Sequence, residues 1–348
     1  MATRYVNTAS SAGGDGTTNA TTGANRAYAS LSEWEAARQA VLSEVEECLC
    51  EGTAADTTIV AVDGWTTTAT NYIHIKGNTG SSAGKHPGNW STSHYRLQLG
   101  AYGAVLTLTE AHVRVSGIQI YQTTNADAYW GLTCVDDTGV YRLDGLLVRG
   151  PNGTGYTNRG VTLRGDAKIW NSVAWDWMGG STTGFTQLNA GAKYAYNCTA
   201  YNCQQGFQNP DNGTNLLVYN CLADACVNGF NAGWTWGASD YNASSLASDA
   251  PGSNSRNSQT FTFENTGAGD FHLTVDDAGA KDYGVSDPGS GLYSDDIDGD
   301  TRSGSWDIGA DEYVAAGGGT SITSVVGAAT LTGGSPMMDF GVFVPTEI

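Results

Sequence analysis

The chain has 348 residues, a formal net charge of -19 and 47 Gly, and only 15% of it is charged, against about 25% in an average soluble domain. Its 10 Trp and 10% aromatic residues exclude a disordered chain, and Gly and Thr in excess over Lys, Glu and Leu exclude a helical bundle. Sixteen basic residues against 35 acidic ones, with no basic cluster along the chain, argue against binding nucleic acid and against attraction to anionic membranes or acidic polymers.

The opening MATRYVNTASSAGGDG has no apolar core of a secretory signal, and no apolar run is long enough to span a bilayer, so no membrane insertion is expected. Residues 1–57 read as a lead and a cap. Within them, 31–50 is predicted to be a helix: Ser30 with Glu33, or Ser32 with Glu35, offers a capping box, and Leu31, Trp34, Ala37, Val41 and Val45 fall on one face. Short β runs follow at 58–62, 72–76, 96–99, 105–108, 113–120, 141–148 and 168–174, punctuated by Gly, Asn and Asp. Without interleaved helices, βαβ folds fall away and a sandwich, barrel or solenoid remains.

Internal repeats decide between these. Tyr196-Asn197-Cys198 recurs as Tyr219-Asn220-Cys221, Cys203 as Cys226, and Gly206-Phe207 as Gly229-Phe230, all 23 residues on. Upstream, Asn171, then Gly145, then Gly117 extend the register with intervals drifting to 28. A drifting period of this size predicts an all-β, right-handed parallel β-helix over residues 58–250 with about eight coils spaced about 4.8 Å apart. Asn171, Asn197 and Asn220 would form a ladder satisfying its own amides, and the helix would cap the open N-terminal edge. Residues 251–314 would close the other end, followed by an extended tail.

The chain also resembles a known group. Tyr5-Val6-Asn7, Gly13-Gly14-Asp15-Gly16 and Ala27-Tyr28-Ala29-Ser30-Leu31 look like the entry of right-handed β-helix proteins of the pectate-lyase-like superfamily. Gly269-Asp270-Phe271-His272-Leu273, Asp296-Ile297-Asp298-Gly299-Asp300 with Arg302, and Asp307-Ile308-Gly309-Ala310-Asp311-Glu312 are similar to the closing segments of such proteins. The group includes polysaccharide lyases and hydrolases, bacterial surface proteins and bacteriophage virion proteins. The start and the apolar tail look most like the phage members.

The chemistry is sparse. Cys198, Cys203, Cys221 and Cys226 repeat as a stacked thiol ladder, with disulfides or a zinc site as alternatives. Asp296, Asp298 and Asp300 alternate around a Gly and are candidate calcium ligands, but the resemblance implies a turn in which Arg302 pairs with neighbouring Asp side chains. No other cofactor is expected. Asp176 and Asp224, after related strands, are the acid/base candidates, although an exposed turn Asp explains each. Trp175 with Trp177 and Trp234 with Trp236, two apart, predict aromatic faces for glycan stacking or for an interface. The five His show no metal spacing, and His272 reads as structural. Residues 315–348, a Gly-rich linker and an apolar end, are expected to dock Met337, Met338, Phe340 and Phe343 on a partner. The expectation is a non-enzymatic homo-oligomer on the virion surface, decorating the particle with other virion proteins or adhering to host polysaccharide. A depolymerase and a bacterial surface adhesin are the alternatives.

Overall fold

A computed structural model describes residues 1–100, 102–153, 157–189, 191–210, 216–231 and 235–315. Three parallel sheets, of eight, seven and eight strands, wind together as a β-helix of about seven turns. Sheet A runs from Ala2–Asn7 and Glu46–Glu51 through Ile73–Gly77, His112–Ser116, Val140–Asp144, Asp166–Trp170 and Lys193–Tyr196 to Leu216–Tyr219. Sheet B runs from Val60–Val62 to Asn228–Phe230, and sheet C from Ala55–Asp56 to Ala243–Ser244.

Pairing is in register from coil to coil, so like positions stack. Cys48, Ile75, Val115, Leu143, Ile169, Ala195 and Val218 form one inward row of sheet A, and all are fully buried. In sheet B, Phe185, Phe207 and Phe230 stack at 5.0 and 4.9 Å between ring centres, which is the coil spacing itself. The thiols follow the same rule: Cys198 sits under Cys221 and Cys203 under Cys226, all reduced and buried, and burial drives the thiols of Cys198 and Cys203 well above their ordinary range.

The runs predicted at 113–120, 141–148 and 168–174 are each two strands, not one. Gly117, Gly145 and Asn171 take left-handed backbone (φ 62°, 55° and 49°) and turn the chain from sheet A into sheet C. Asn197 and Asn220 hold the same corner in the next coils, with φ 44° and 53°. Asn and Gly are the residues that occupy this region most readily, which is why the repeat carries them there. The rod has about seven turns rather than eight because its coils are uneven: the coil from Ile73 to its partner Val113 exceeds the repeat length.

The helix spans Leu31–Arg38 only. Ser30 Oγ accepts from the Glu33 amide, and the Glu33 carboxylate returns to the Ala29 amide. Leu31 and Trp34 are buried against Val6, Val60 and Trp65, and the Leu31 amide donates to Asp56. The helix therefore meets the first strands of all three sheets and covers the N-terminal edge. The predicted extension to residue 50 fails because Cys48 and Cys50 alternate inward and Glu46–Glu51 joins sheet A, while Val41 is exposed. At the other end, Asp249 accepts from the Gly229 and Phe230 amides, and Asn242 from the Cys221 amide, so side chains satisfy the last edge.

Residues 259–313 then return along the outside of sheet C. Trp175, Leu147 and Val173 pack against Phe271, Ile297 and Ala310, and Leu222 against Phe261, Leu273 and Ile308. The corner Asn residues fasten this segment: Asn171 donates to Asp295 O, Asn197 to Asp307 O and Gly309 O, and Asn220 to Val285 O. The predicted self-satisfying ladder survives as one link, Asn220 to Asn197 at 3.2 Å. Arg302, 4% exposed, reaches Asn171 Oδ1, the carbonyls of Gly309 and Ala310 and the Glu312 carboxylate. Its carboxylate partner is Glu312, not one of the neighbouring Asp side chains.

Candidate functional site

Clefts among the described residues lie along the outer face of sheet A, beside the edge where Tyr293 and Trp306 of the closing segment pack on Trp170 and Tyr196. The outward positions of sheet A stack as rows. One row reads His74, Arg114, Arg142, Lys168 and Tyr194 in successive coils. Lys76 and Lys85 lie beside its start, so a cationic stripe crosses a chain of net charge -19. Three connected clefts of about 190, 230 and 130 Å³ follow it. The first two share His74, Ser116 and Asp144, and the last two share Arg114 and Arg142.

The stripe is held by aromatic rings and few carboxylates. Arg114 lies 3.8 Å over the Tyr72 ring and Lys168 5.4 Å from that of Tyr194. Arg142 pairs with exposed Asp166 at 3.1 Å, and Lys76 with Glu47 at 2.8 Å. His74 Nε2 meets Ser116 Oγ at 2.9 Å, and burial pulls its imidazole down to about 4, so it is neutral at neutral pH. Tyr194, Tyr196 and Tyr219 stack beyond the stripe, 5.6 and 5.9 Å between centres, with Tyr196 buried under Tyr293 and Tyr194 and Tyr219 partly exposed at the rim. At the wall of the first cleft, burial first and the charge of Asp295 second push Asp144 up to about 7, against the pull of Lys85.

A second cluster lies on the closing segment. His272 Nδ1 meets Asp270 Oδ1 at 2.6 Å, and its Nε2 stands 3.5 Å from Asp298 Oδ2 and 4.0 Å from Asp311 Oδ1. Burial opposes the imidazolium, but the hydrogen bond that Asp270 accepts and the nearby carboxylates of Asp298 and Asp311 outweigh it and carry His272 up to about 11.

The predicted site residues are scattered by the fold. Trp175 and Trp177 are 2% and 0% exposed. Asp176 between them is in left-handed backbone, so Trp175 packs under the closing segment and Trp177 enters the rod. Neither offers a ring to a ligand. Trp236 is buried edge-on against Phe230. Trp234, Met337, Met338, Phe340 and Phe343 lie outside the described residues. Asp176 accepts from Asn202 and lies near Arg149. Asp224 aligns with Trp175 and Tyr201, not with Asp176, and is two coils away, so the two do not form a pair. Asp296 turns its Oδ1 to the amides of Asp298, Gly299 and Asp300 and its Oδ2 to that of Glu312, which uses up its acceptors. Asp300 is exposed, and only Asp298 of the three candidates joins the His272 cluster.

The cationic row went unseen because its members are 26 or more residues apart. A signal was present: Arg114, Arg142 and Lys168 each stand three residues before the corner residue Gly117, Gly145 or Asn171.

No family model matches the chain, and no curated protein matches it in sequence. Among solved structures, the crystal structure of pectate lyase Pel9A is similar at 14% identity and a TM-score of 0.30, over 89% of this chain and 96% of that one. The three in-register sheets define this chain as a parallel β-helix.

Proposed function

We propose that this chain is a binding protein that lays a linear anionic carbohydrate along the outer face of sheet A, and that it is displayed on bacteriophage particles. The row of Arg114, Arg142 and Lys168, one cation per coil and continued by Tyr194, carries the first part. Cations about 4.8 Å apart over a few coils suit a polymer of modest charge density with sugar faces to stack on Tyr. The net charge of -19 repels any polyanion at long range, and a duplex carrying one charge per roughly 1.7 Å would meet more of that repulsion than a sparsely charged glycan held at the local row. Calorimetric titration with oligogalacturonate or hyaluronate fragments should show binding that weakens with salt, and neutral dextran fragments should bind far less. Equal binding of the neutral fragments would remove the proposal.

The virion part rests on the resemblance of the chain's two ends and on the apolar tail. Deleting residues 315–348 is expected to leave folded coils that no longer enter particles, whether the tail joins copies of this chain or other virion proteins. Normal incorporation of the truncated chain would contradict this, and glycan binding without any particle association would leave a surface adhesin.

One observation favours a second reading, a lyase. Asp144, raised to about 7, stands in the first cleft with Lys85 and Asp295, and such groups in clefts suit proton transfer. Release of unsaturated uronic products that stops in Asp144→Asn would establish it. Binding without product release would leave the first reading.

A further inference from the structure

We propose that His272, Asp298 and Asp311 form a site for one divalent transition-metal ion of the zinc type. Their ligand atoms lie within 4.8 Å of one another. The separations from His272 Nε2, 3.5 Å to Asp298 Oδ2 and 4.0 Å to Asp311 Oδ1, are long for charge-assisted hydrogen bonds. They approach the spacing of ligands around a shared tetrahedral ion, roughly 3.3 Å for bonds of about 2.0 Å. Nε2 is buried and makes no hydrogen bond.

The surroundings fit the same purpose. Asp270 takes the other ring nitrogen at 2.6 Å and is itself fixed by Asn89 Nδ2 at 3.0 Å. This carboxylate–histidine arrangement orients a metal-binding imidazole toward its ion. Asp311 gives Oδ2 to the Leu273 amide and keeps Oδ1 toward Nε2. Asp298 is held on its turn by Asp296, and its half-exposed side chain leaves a path for an ion and a water ligand. Gly88, with φ 80°, closes the other side, and a Cβ added there would collide with His272 Nε2 and Asp298. Its place is set by His86, whose Nδ1 accepts the Gly88 amide and whose Nε2 meets Gly145 O at 2.7 Å. A nitrogen ligand with two carboxylates favours zinc, cobalt or nickel over calcium or magnesium. The ion would take the place of the Nε2 proton, which leaves to solvent. It would staple three parts of the closing segment that lie far apart in sequence.

The test is calorimetric titration of the full chain, freed of metal by chelator, with Zn²⁺ and with Ca²⁺. One equivalent of Zn²⁺ should bind, Ca²⁺ should not, and a hundredfold excess of Zn²⁺ over Kd should raise Tm by about 5 °C. Co²⁺ should give the visible bands of a four- or five-coordinate ion. His272→Ala should weaken Zn²⁺ binding at least 100-fold, and Asp300→Asn should leave it unchanged. Should His272→Ala not fold, Asp298→Asn, at the open side of the site, reads the same loss. Absence of stoichiometric Zn²⁺ binding, or unchanged affinity in both His272→Ala and Asp298→Asn, overturns the assignment.

Discussion

Sheets A and C are built from the same coils and the same corner residues, yet their outer faces have opposite fates. Sheet C presents Leu147, Val173, Trp175 and Leu222 outward, and residues 259–313 bury them. Sheet A presents Arg114, Arg142 and Lys168 in the same coils, and the closing segment reaches only its edge, where Tyr293 and Trp306 bury Trp170 and Tyr196. Alternate residues of one strand feed the core, so the outward set is free to encode either a docking face or a working face. The difference teaches that stability and recognition are separated around the rod: losses on the sheet C side should appear in folding, and losses on the sheet A side in binding.

The largest effect is expected at Arg302. Replacing it with Met leaves Glu312 buried without its partner and should cost about 3–5 kcal/mol, read as a fall in the denaturant midpoint. A loss under about 1 kcal/mol would show that the closing segment does not depend on this side chain. Asn197→Ala should come next, at roughly 2–3 kcal/mol, since it loses bonds to Asp307 O and Gly309 O and strains a left-handed corner. Asn197→Gly keeps the corner and should cost less. An equal cost for the two would assign the whole effect to the bonds.

Asp144 sharpens the comparison with an effect of opposite sign. Its folded value of about 7 lies above the ordinary 3.8, with burial first and Asp295 second raising it and Lys85 opposing. The folded state therefore holds a proton that the unfolded chain releases, and stability falls as pH rises from about 4 to about 7. Asp144→Asn should match the parent below pH ~4 and be the more stable of the two at pH 8. Equal midpoints at pH 8 would refute the shift. Smallest of all, Arg114→Ala and Lys168→Ala should move stability by less than about 0.5 kcal/mol, and a larger loss would make the row structural.

Much of this was legible in the sequence, for a physical reason. A solenoid repeats one local problem, so Asn197 and Asn220, or Cys203 and Cys226, recur at the coil interval. The repeat also carried the cationic row, since Arg114 and Arg142 precede their corner glycines by the same three residues, but single charges so far apart do not look like a cluster. Trp175 and Trp177 misled because a two-residue spacing implies one face only while the strand continues, and Asp176 ends it. The His272 cluster was out of reach: the closing segment does not repeat, and only its tertiary path brings residue 272 to residues 298 and 311.

The central claim, that the outer face of sheet A is the working face, is tested most directly by one affinity. The triple variant Arg114→Ala, Arg142→Ala, Lys168→Ala should fold like the parent and bind an anionic oligosaccharide at least tenfold more weakly, with a shallower salt dependence. Unchanged affinity and salt dependence in that folded variant would contradict the claim.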